Sequence, residues 1–293
     1  MPQLPMPTAI IRDGTVLEGD SESLVPWWSI AKSVLAAAAM RLSEARALDL
    51  EARFEDWPFT IRQLLHNTSG LADSGGPVYH RAVADGDPVW SVEELLARRN
   101  ARMLIFAPGT DWAYSNIGYL FVRRTVERAA GADLDTALRA LVFEPLGLSG
   151  TRVASTPEDL AETVWGNPTG YDPRWVYHGL LIGPPTDAVR FLAGLLSGRL
   201  VSAASLEAML SQYRLGGALP GRPWTETGYG LGLMIGAAGD AGRTIGHSGG
   251  GPGTVSAVYG FPDLPGRPVA AAFARGTDEG VTEHEVVRLA LGG

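Results

Sequence analysis

The sequence predicts an α+β fold in which strands from both ends of the chain form one sheet around a helical insert. Alternating apolar runs occur near the N-terminus and after residue 229, whereas the middle of the chain has mostly helical patterns. The length of 293 residues suits one large domain or two that pack closely together.

The first elements are a hairpin and a long helix. Residues 9–12 and 15–18 flank Asp13-Gly14, a dipeptide typical of two-residue hairpin turns. The run 34–45 is rich in Ala and Leu and almost free of residues that break helices, which predicts a helix beginning at about Trp28.

The middle of the chain carries capping signals for several helices. Thr60 is suited to cap a short helix, Ser91 forms a capping box with Glu94, and Thr186 is suited to cap a later helix. Residues 165–178 are rich in Gly, Pro and aromatic residues and predict a loop. The predicted helices are 60–65, 92–99, 117–130, 134–143 (ending before Pro145), 186–197 and 202–213.

The period of the apolar pattern changes in the last third of the chain. Residues 229–235, 254–261 and 269–275 have the pattern of strands, and residues 283–291 that of a closing helix.

Composition excludes several classes of function. A net charge of −8 disfavours binding to nucleic acid or to an anionic membrane surface. The absence of cysteine excludes disulfides, a thiol nucleophile and a thiolate metal site. No run is long enough to span a membrane, and Met1–Pro7 has no signal-peptide pattern, so we expect a cytoplasmic protein, although a trimmed secreted chain would look the same.

Ser29 and Lys32 form the motif with the clearest chemical meaning. At a spacing of three they lie on one face of the predicted helix, in the Ser-x-x-Lys pattern of penicillin-recognising enzymes. Lys32 is also the only lysine in the chain, and a desolvated lysine can lose its proton whereas an arginine cannot. The alternative is a solvated lysine on the surface of the helix.

Two further segments supply groups that acyl transfer by a serine needs. Tyr114 lies on a loop before a predicted helix, and Gly250 lies at a strand edge. We expect Ser29 to attack, Lys32 to take its proton directly or through Tyr114, and the N–H groups of Ser29 and Gly250 to hold the oxyanion. Tyr114 would then protonate the leaving group and activate water.

Each of these residues also has a purely structural interpretation. Ser115 and Asn116 could cap the next helix, Tyr114 could belong to the core, and His247 could be an internally satisfied histidine. The other four histidines show no metal-ligand spacing and are interpreted as structural or surface residues; they are His66, His80, His178 and His284.

Several short sequence segments, in the same order along the chain, carry a resemblance to a known family. Besides Ser29–Lys32 and Tyr114–Asn116, they are residues 61–71, 108–119, 145–148, 229–233 and 246–250. Over about residues 8–275 the chain resembles the serine β-lactamase and penicillin-binding protein family. It is most similar to the class C-like branch, with D-alanyl-D-alanine peptidases, D-aminopeptidases and family VIII esterases.

The resemblance implies a β-lactamase/transpeptidase-like α+β fold, with an antiparallel sheet flanked by helices plus an all-helical domain. We expect the α/β domain over residues 1–60 and 180–293, the helical domain over residues 61–179, and the active site at their interface. It also implies a nucleophile, a base and a proton carrier at Ser29, Lys32 and Tyr114. Substrate binding is implied for Asn116, His247, Ser248, Gly249 and Gly250, with His247 in place of the usual lysine of the family's Lys-Thr-Gly triplet.

We therefore predict a serine hydrolase that forms an acyl-enzyme on Ser29 and cleaves a small ester or amide. His247 is mostly neutral at pH 7 and holds a substrate carboxylate less well than lysine does, which leaves esters and amides open. We expect a small-molecule substrate, no metal or organic cofactor and no nucleic acid partner. The sequence leaves open the natural substrate, the oligomeric state, and whether β-lactams are hydrolysed, bound or ignored.

Three alternatives stand beside this prediction. The first is a true β-lactamase or a penicillin-binding D,D-peptidase, and the second is a non-catalytic penicillin-recognising scaffold. The third is an α/β-hydrolase with Ser248 as nucleophile, because residues 246–250 fit Gly-x-Ser-x-Gly and are followed by Asp278 and His284.

Aromatic residues near these motifs suggest an apolar acyl pocket. The candidates for its lining are Trp27, Trp28, Trp165, Tyr171, Trp175 and Tyr177, with core packing as the alternative.

Overall fold

The computed structural model describes residues 6–293, so the prediction for Met1–Pro7 falls mostly outside it. The strands are β1 (Thr8–Arg12), β2 (Thr15–Gly19), β3 (Val25–Pro26), β4 (Arg152–Ala154), β5 (Leu180–Gly183), β6 (Tyr213–Gly216), β7 (Glu226–Tyr229), β8 (Met234–Ala237), β9 (Arg243–Gly251), β10 (Thr254–Gly260) and β11 (Val269–Arg275). An eight-stranded antiparallel sheet has the order β2-β1-β11-β10-β9-β8-β7-β6, and a small sheet has the order β3-β5-β4.

The helices surround this sheet and fill the middle of the chain. They are α1 (Ile30–Glu44), α2 (Ile61–Leu65), α3 (Pro77–Asp85), α4 (Val92–Arg98), α5 (Asn116–Ala130), α6 (Leu134–Leu138), α7 (Glu144–Leu146), α8 (Pro157–Ala161), α9 (Pro185–Leu196), α10 (Ala203–Leu210) and α11 (Glu279–Leu291). Within residues 6–293, no helix is long and apolar enough to cross a membrane. The cytoplasmic location stays a prediction.

The main sheet is built from both ends of the chain, as the sequence predicted. Strand β1 pairs with β11, and the β1–β2 hairpin turns at Asp13 and Gly14, whose φ angles of 51° and 76° are the positive values that such a turn requires. The division into an α/β domain and a helical domain at residues 60/61 and 179/180 stays a prediction.

Alternate residues of the central strands face two separate layers of helices. In β11, Ala270 and Ala272 pack with Val286 of α11, whereas Ala271 and Phe273 face the larger core that contains α1 and α9. This period of two is what a strand buried on both faces requires. Helix α1 therefore lies in the interior, packed between the sheet and α5.

The structure corrects the predicted boundaries of several helices. The helix 134–143 does not end before Pro145, because a π-helical turn over Arg139–Phe143 accommodates that residue, which has no N–H to donate. The helix expected from Thr186 begins one residue earlier, at Pro185, and the buried Thr186 hydroxyl, which has no hydrogen-bond partner among residues 6–293, does not cap it. Helix α11 begins at Glu279, one turn before the predicted start at residue 283.

Two corrections concern the last third of the chain. The predicted strand 229–235 is two strands, β7 and β8, joined by a turn that contains Gly232 at a φ of 73°. The predicted helix 202–213 ends at Leu210, and Tyr213 already belongs to the edge strand β6.

Candidate active site

The site lies where α1 begins. Trp28, just before Ser29, has a φ of 45°, a left-handed conformation that bulky residues rarely adopt and that marks strain at functional sites. Its indole Nε1 donates to Thr254 Oγ1 at 2.9 Å, and its ring packs over Gly251. These contacts hold the bend that turns Ser29 toward a cavity, which Ser29 lines.

The structure brings Ser29, Lys32 and Tyr114 together. Lys32 Nζ and Tyr114 OH each lie 2.9 Å from Ser29 Oγ. Both distances are ordinary hydrogen-bond lengths, so one hydroxyl is contacted by an amine and a phenol at once. Residues 85 positions apart in the chain thus form one compact group.

Burial sets the protonation states of this group. Lys32 is 0% exposed, and desolvation lowers its pKa to about 7, although the negative charges of Asp73 and Glu279 oppose this shift. Burial, reinforced by neighbouring Tyr229, raises the pKa of Tyr114 well above its usual value. At neutral pH the phenol therefore keeps its proton and donates it to Ser29 Oγ, while a large share of Lys32 is a neutral amine.

The loop before α5 positions Tyr114 and Asn116. Ser115 caps α5 by accepting a hydrogen bond from Gly118 N, as its structural interpretation predicted. Asn116 is the first helical residue, and both its backbone N and its Nδ2 donate to Asp73 Oδ1, at 2.8 and 2.9 Å. Asn116 lines the cavity beside Ser29.

Strand β9 passes directly behind Ser29. Its pairing with β8 ends at Met234–Gly246. In the part of the chain that the structure describes, residues 247–251 therefore pair only with β10. A Cβ at Gly249 would lie 2.5 Å from Ser29 N, which explains why a glycine stands there. Gly250 and Gly251 line the cavity.

His247 is buried and paired within the protein. Its Nδ1 faces Ser248 O at 2.5 Å and must donate to it, so Nε2 accepts from Tyr229 OH at 3.1 Å. Burial and the nearby Lys32 lower the pKa of His247 to about 3, so its ring is neutral. The ring is not part of the cavity lining, and its binding of substrate stays a prediction without a supporting contact.

Ser248 belongs to a cluster of charged side chains. Its Oγ donates to Glu279 Oε2 at 2.6 Å and accepts from Arg222 at 2.8 Å, while Arg222 is also paired with buried Glu283. Ser248 lies within an antiparallel strand rather than at a strand-to-helix turn, and His284 is exposed on α11. The α/β-hydrolase alternative is therefore wrong.

Sequence reasoning missed three residues of the site. His178, interpreted as structural or surface, has its Nε2 3.2 Å from Lys32 Nζ. Asp73 holds Asn116, and Glu279 holds Ser248; both carboxylates line the cavity. No local spacing connects these residues to the motifs, so only the fold reveals them.

The cavity above Ser29 has a volume of about 1230 Å³ and an acidic lining. Four of the six aromatic candidates line it, namely Trp28, Tyr171, Trp175 and Tyr177, whereas Trp27 and Trp165 do not. Its charged side chains are Asp73, Asp87, Asp172, Glu279 and Arg174. Arg174 is paired with Asp172 and Glu279 is paired with Arg222, which leaves Asp73 and Asp87 without an ion-pair partner among the described residues.

The fold and the site together define a class of protein. The antiparallel sheet with helices on both faces, and a Ser-x-x-Lys motif at the start of a buried helix, are those of the β-lactamase/transpeptidase fold. A family model described as Beta-lactamase matches residues 6–289, and the chain belongs to that family. The match confirms the resemblance to the class C-like branch that the sequence motifs indicated.

Two curated relatives show the range of the branch. Penicillin-binding protein 4* of Bacillus subtilis strain 168 is 27% identical over 271 residues, covering 80% of this chain and 57% of that protein. Esterase EstB of Burkholderia gladioli is 34% identical over 155 residues, covering 45% of this chain and 39% of the esterase. The chain thus spans about half the length of these relatives.

Solved structures share the fold over nearly the whole chain. D-amino acid amidase from Ochrobactrum anthropi SV3 has a TM-score of 0.80 at 21% identity, with 100% of this chain and 96% of that chain covered. A penicillin-binding protein homologue from Pyrococcus abyssi, described as octameric, has a TM-score of 0.79 at 21% identity, with 98% and 73% covered.

Proposed function

We propose that this protein is a serine hydrolase that forms an acyl-enzyme on Ser29 and cleaves small esters or amides. The observation that carries the proposal is the pair of 2.9 Å contacts from Lys32 Nζ and Tyr114 OH to Ser29 Oγ, at a large cavity. A scaffold that only binds has no need of a serine between a partly neutral amine and a phenol.

In acylation, the Ser29 Oγ–H bond breaks and its proton goes to neutral Lys32, while Oγ bonds to the substrate carbonyl carbon. The carbon–leaving group bond then breaks, and the leaving group takes the proton of Tyr114 OH. The phenolate that remains is stabilised by the new ammonium, because Nζ lies 4.9 Å from the centroid of the Tyr114 ring.

In deacylation, water gives a proton to the Tyr114 phenolate and the resulting hydroxide attacks the acyl carbon. The ester bond to Ser29 Oγ breaks, and Oγ regains its proton from Lys32. Acylation and deacylation together return Ser29, Lys32 and Tyr114 to their starting protonation states. The oxyanion would be held by the N–H groups of Ser29 and Gly250, with the N-terminus of α1 adding a favourable dipole.

The charges that line the cavity disfavour anionic substrates. Neutral His247 supplies no cation, and the cavity that Ser29 lines is also lined by Asp73 and by Glu279, whose charge is partly offset by Arg222. A substrate carboxylate, as in a β-lactam or a D-alanyl-D-alanine peptide, would be repelled there. Neutral esters fit, and the carboxylates favour a second candidate class, amides that carry a free ammonium group such as D-amino acid amides.

The test of the nucleophile is labelling with a fluorophosphonate, read by intact mass and peptide mapping, together with hydrolysis of p-nitrophenyl butyrate. Wild type should gain one adduct on Ser29 and Ser29→Ala none. Ser248→Ala serves as the matched serine variant and should still be labelled on Ser29. Full hydrolysis by Ser29→Ala, or no adduct on wild type, would overturn the proposal and favour a non-catalytic scaffold.

The substrate class is tested on the same protein. D-alanine p-nitroanilide should be a better substrate than its N-acetyl derivative, and benzylpenicillin should give neither adduct nor turnover. A stable penicillin adduct would instead indicate a penicillin-binding peptidase, and turnover without an adduct a β-lactamase.

A further inference from the structure

His178 is held firmly next to the base although it lies far from it in sequence. The loop that carries it is fixed by Tyr177 OH, which donates to Trp90 O at 2.9 Å, and by Tyr79 OH, which donates to Trp175 O at 2.7 Å. His178 is 4% exposed, borders the cavity and leads directly into β5. Its ring therefore has little freedom to move.

The ring contacts the amine of Lys32 through one nitrogen only. Nε2 lies 3.2 Å from Lys32 Nζ, and Nδ1 makes no hydrogen bond of ordinary geometry within the described part of the chain, although the backbone of Trp28 lies close to the ring. Burial, with the neighbouring Lys32, lowers the pKa of His178 well below its usual value, so the imidazole is neutral. An ammonium Nζ can only donate, so Nε2 is the acceptor and Nδ1 carries the hydrogen.

This contact gives direction to the whole hydrogen-bond chain. A neutral amine has two N–H donors and one lone pair. If one N–H is committed to His178, the lone pair is left for the proton of Ser29, whose oxygen in turn accepts from Tyr114. Among residues 6–293, Ser29 Oγ and His178 Nε2 are the only atoms that share a hydrogen bond with Lys32 Nζ.

We propose that His178 is a positioning residue for the base: its Nε2 accepts a hydrogen bond from Lys32 Nζ, aims the amine lone pair at Ser29 Oγ and holds the ammonium that acylation creates. The inference rests on the acyl-enzyme function proposed above. It adds a fourth member, from a loop 146 residues away, to the group formed by Ser29, Lys32 and Tyr114.

The other groups around Lys32 do not take this role. Asp73 and Glu279 act on Lys32 as distant charges, and the rings of Tyr114 and Tyr119 have their centroids 4.9 and 5.6 Å from Nζ. The positive charges of Lys32 and Arg123 lower the pKa of His178 and so disfavour protonation of its ring. The groups that face Lys32 or His178 are Asp73, Tyr114, Tyr119, Arg123, His247 and Glu279.

The test compares His178→Gln, which places an amide oxygen near the position of Nε2, with His178→Leu and His178→Phe, which have no acceptor. The measurement is the pH dependence of the acylation rate, from fluorophosphonate labelling and from the burst with a p-nitrophenyl ester. His284→Leu is the matched control, because His284 is exposed and does not line the cavity.

We expect the plateau rate of the Leu and Phe variants to fall by about ten- to a hundredfold, the effect of removing one hydrogen bond to a charged group. In the profile of acylation rate against pH, the rising part should also move to lower pH by about one unit. The ammonium of Lys32 loses its acceptor, so the pKa of Lys32 falls and Lys32 becomes a weaker base. His178→Gln should keep most of the rate, and His284→Leu should match wild type.

Two results would overturn the inference while leaving the acyl-enzyme intact. One is a Leu or Phe variant whose plateau acylation rate and pH midpoint equal those of wild type. The other is a lower acylation rate in all three variants, including His178→Gln, with no change in the pH midpoint, which would indicate a merely structural role. Wild type that is neither labelled nor active would instead refute the proposed function, and the positioning role with it.

Discussion

The contact between β9 and the start of α1 gives a sharp prediction for Gly249→Ala. The added Cβ would lie 2.5 Å from Ser29 N and 2.8 Å from Trp28 Cβ, whereas ordinary contacts begin at 3.4 Å. Both neighbours are fixed, since Trp28 is held at a positive φ by its bond to Thr254. The strand and the helix start must therefore separate by about 0.9 Å, a displacement that can reduce catalysis on the order of a hundredfold.

The assay is kcat/KM for p-nitrophenyl butyrate, measured well below the melting temperature of each variant. Overpacking should also lower the free energy of unfolding by about 1–3 kcal/mol. Gly250→Ala is the comparison, because its Cβ would meet nothing closer than 3.4 Å and it keeps its N–H. We expect a much smaller loss there. Wild-type kcat/KM and stability in Gly249→Ala would refute the argument that this contact sets the position of Ser29.

Further predictions concern the base, the charged cluster and the cavity wall. The acylation rate should rise with pH to a plateau, with a midpoint near the lowered pKa of Lys32 of about 7, because only the neutral amine accepts a proton; a flat profile in a stopped-flow burst would contradict this. Lys32→Arg should lose at least about a hundredfold in acylation although it keeps the charge, and rapid formation of the fluorophosphonate adduct would remove Lys32 from the mechanism. Glu283→Leu should lower the free energy of unfolding by about 3–5 kcal/mol in urea, because it leaves the partly buried Arg222 without its closest partner; an unchanged midpoint would show that the pair is dispensable. Trp175→Ala and Tyr177→Ala should change the ratio of KM values between p-nitrophenyl acetate and octanoate, and unchanged ratios would exclude both rings from the acyl pocket.

The sequence predicted the elements whose signals are local. The caps at Thr60 and Ser91 and the stop at Gly131 are present, as is the hairpin at Asp13-Gly14. The capping box predicted for Ser91 and Glu94 forms only by half: Ser91 accepts from Glu94 N, but the Glu94 carboxylate accepts from Arg98 instead. The strand β9 was not predicted, because Gly has low strand propensity and residues 246–251 contain four glycines. Here tertiary structure decides: pairing with β10 makes the segment a strand, and only a residue without a Cβ fits against Ser29 at position 249.

The site shows the same division between local and long-range information. Ser29 and Lys32 are three residues apart, so one helix explains their contact, and Tyr114 was found through a motif. His178 and Glu279 have no such signal, since their contacts with Lys32 and Ser248 span 146 and 31 residues. A lone histidine in an aromatic loop does not reveal from sequence that the fold places it beside the only lysine.

The acidic lining and the base are coupled through the same charges. Asp73 and Glu279 raise the pKa of Lys32 against the effect of its burial, so in the empty site they keep part of the amine protonated. A substrate ammonium bound near these carboxylates would offset their charge and favour the neutral amine that accepts the serine proton. A substrate carboxylate would meet Glu279, which already occupies the hydroxyl of Ser248, and would favour the protonated, unreactive lysine. The residues that select the charge of the substrate thus also adjust the base, which is why we expect the preference for ammonium over carboxylate to appear in the rate of acylation as well as in binding.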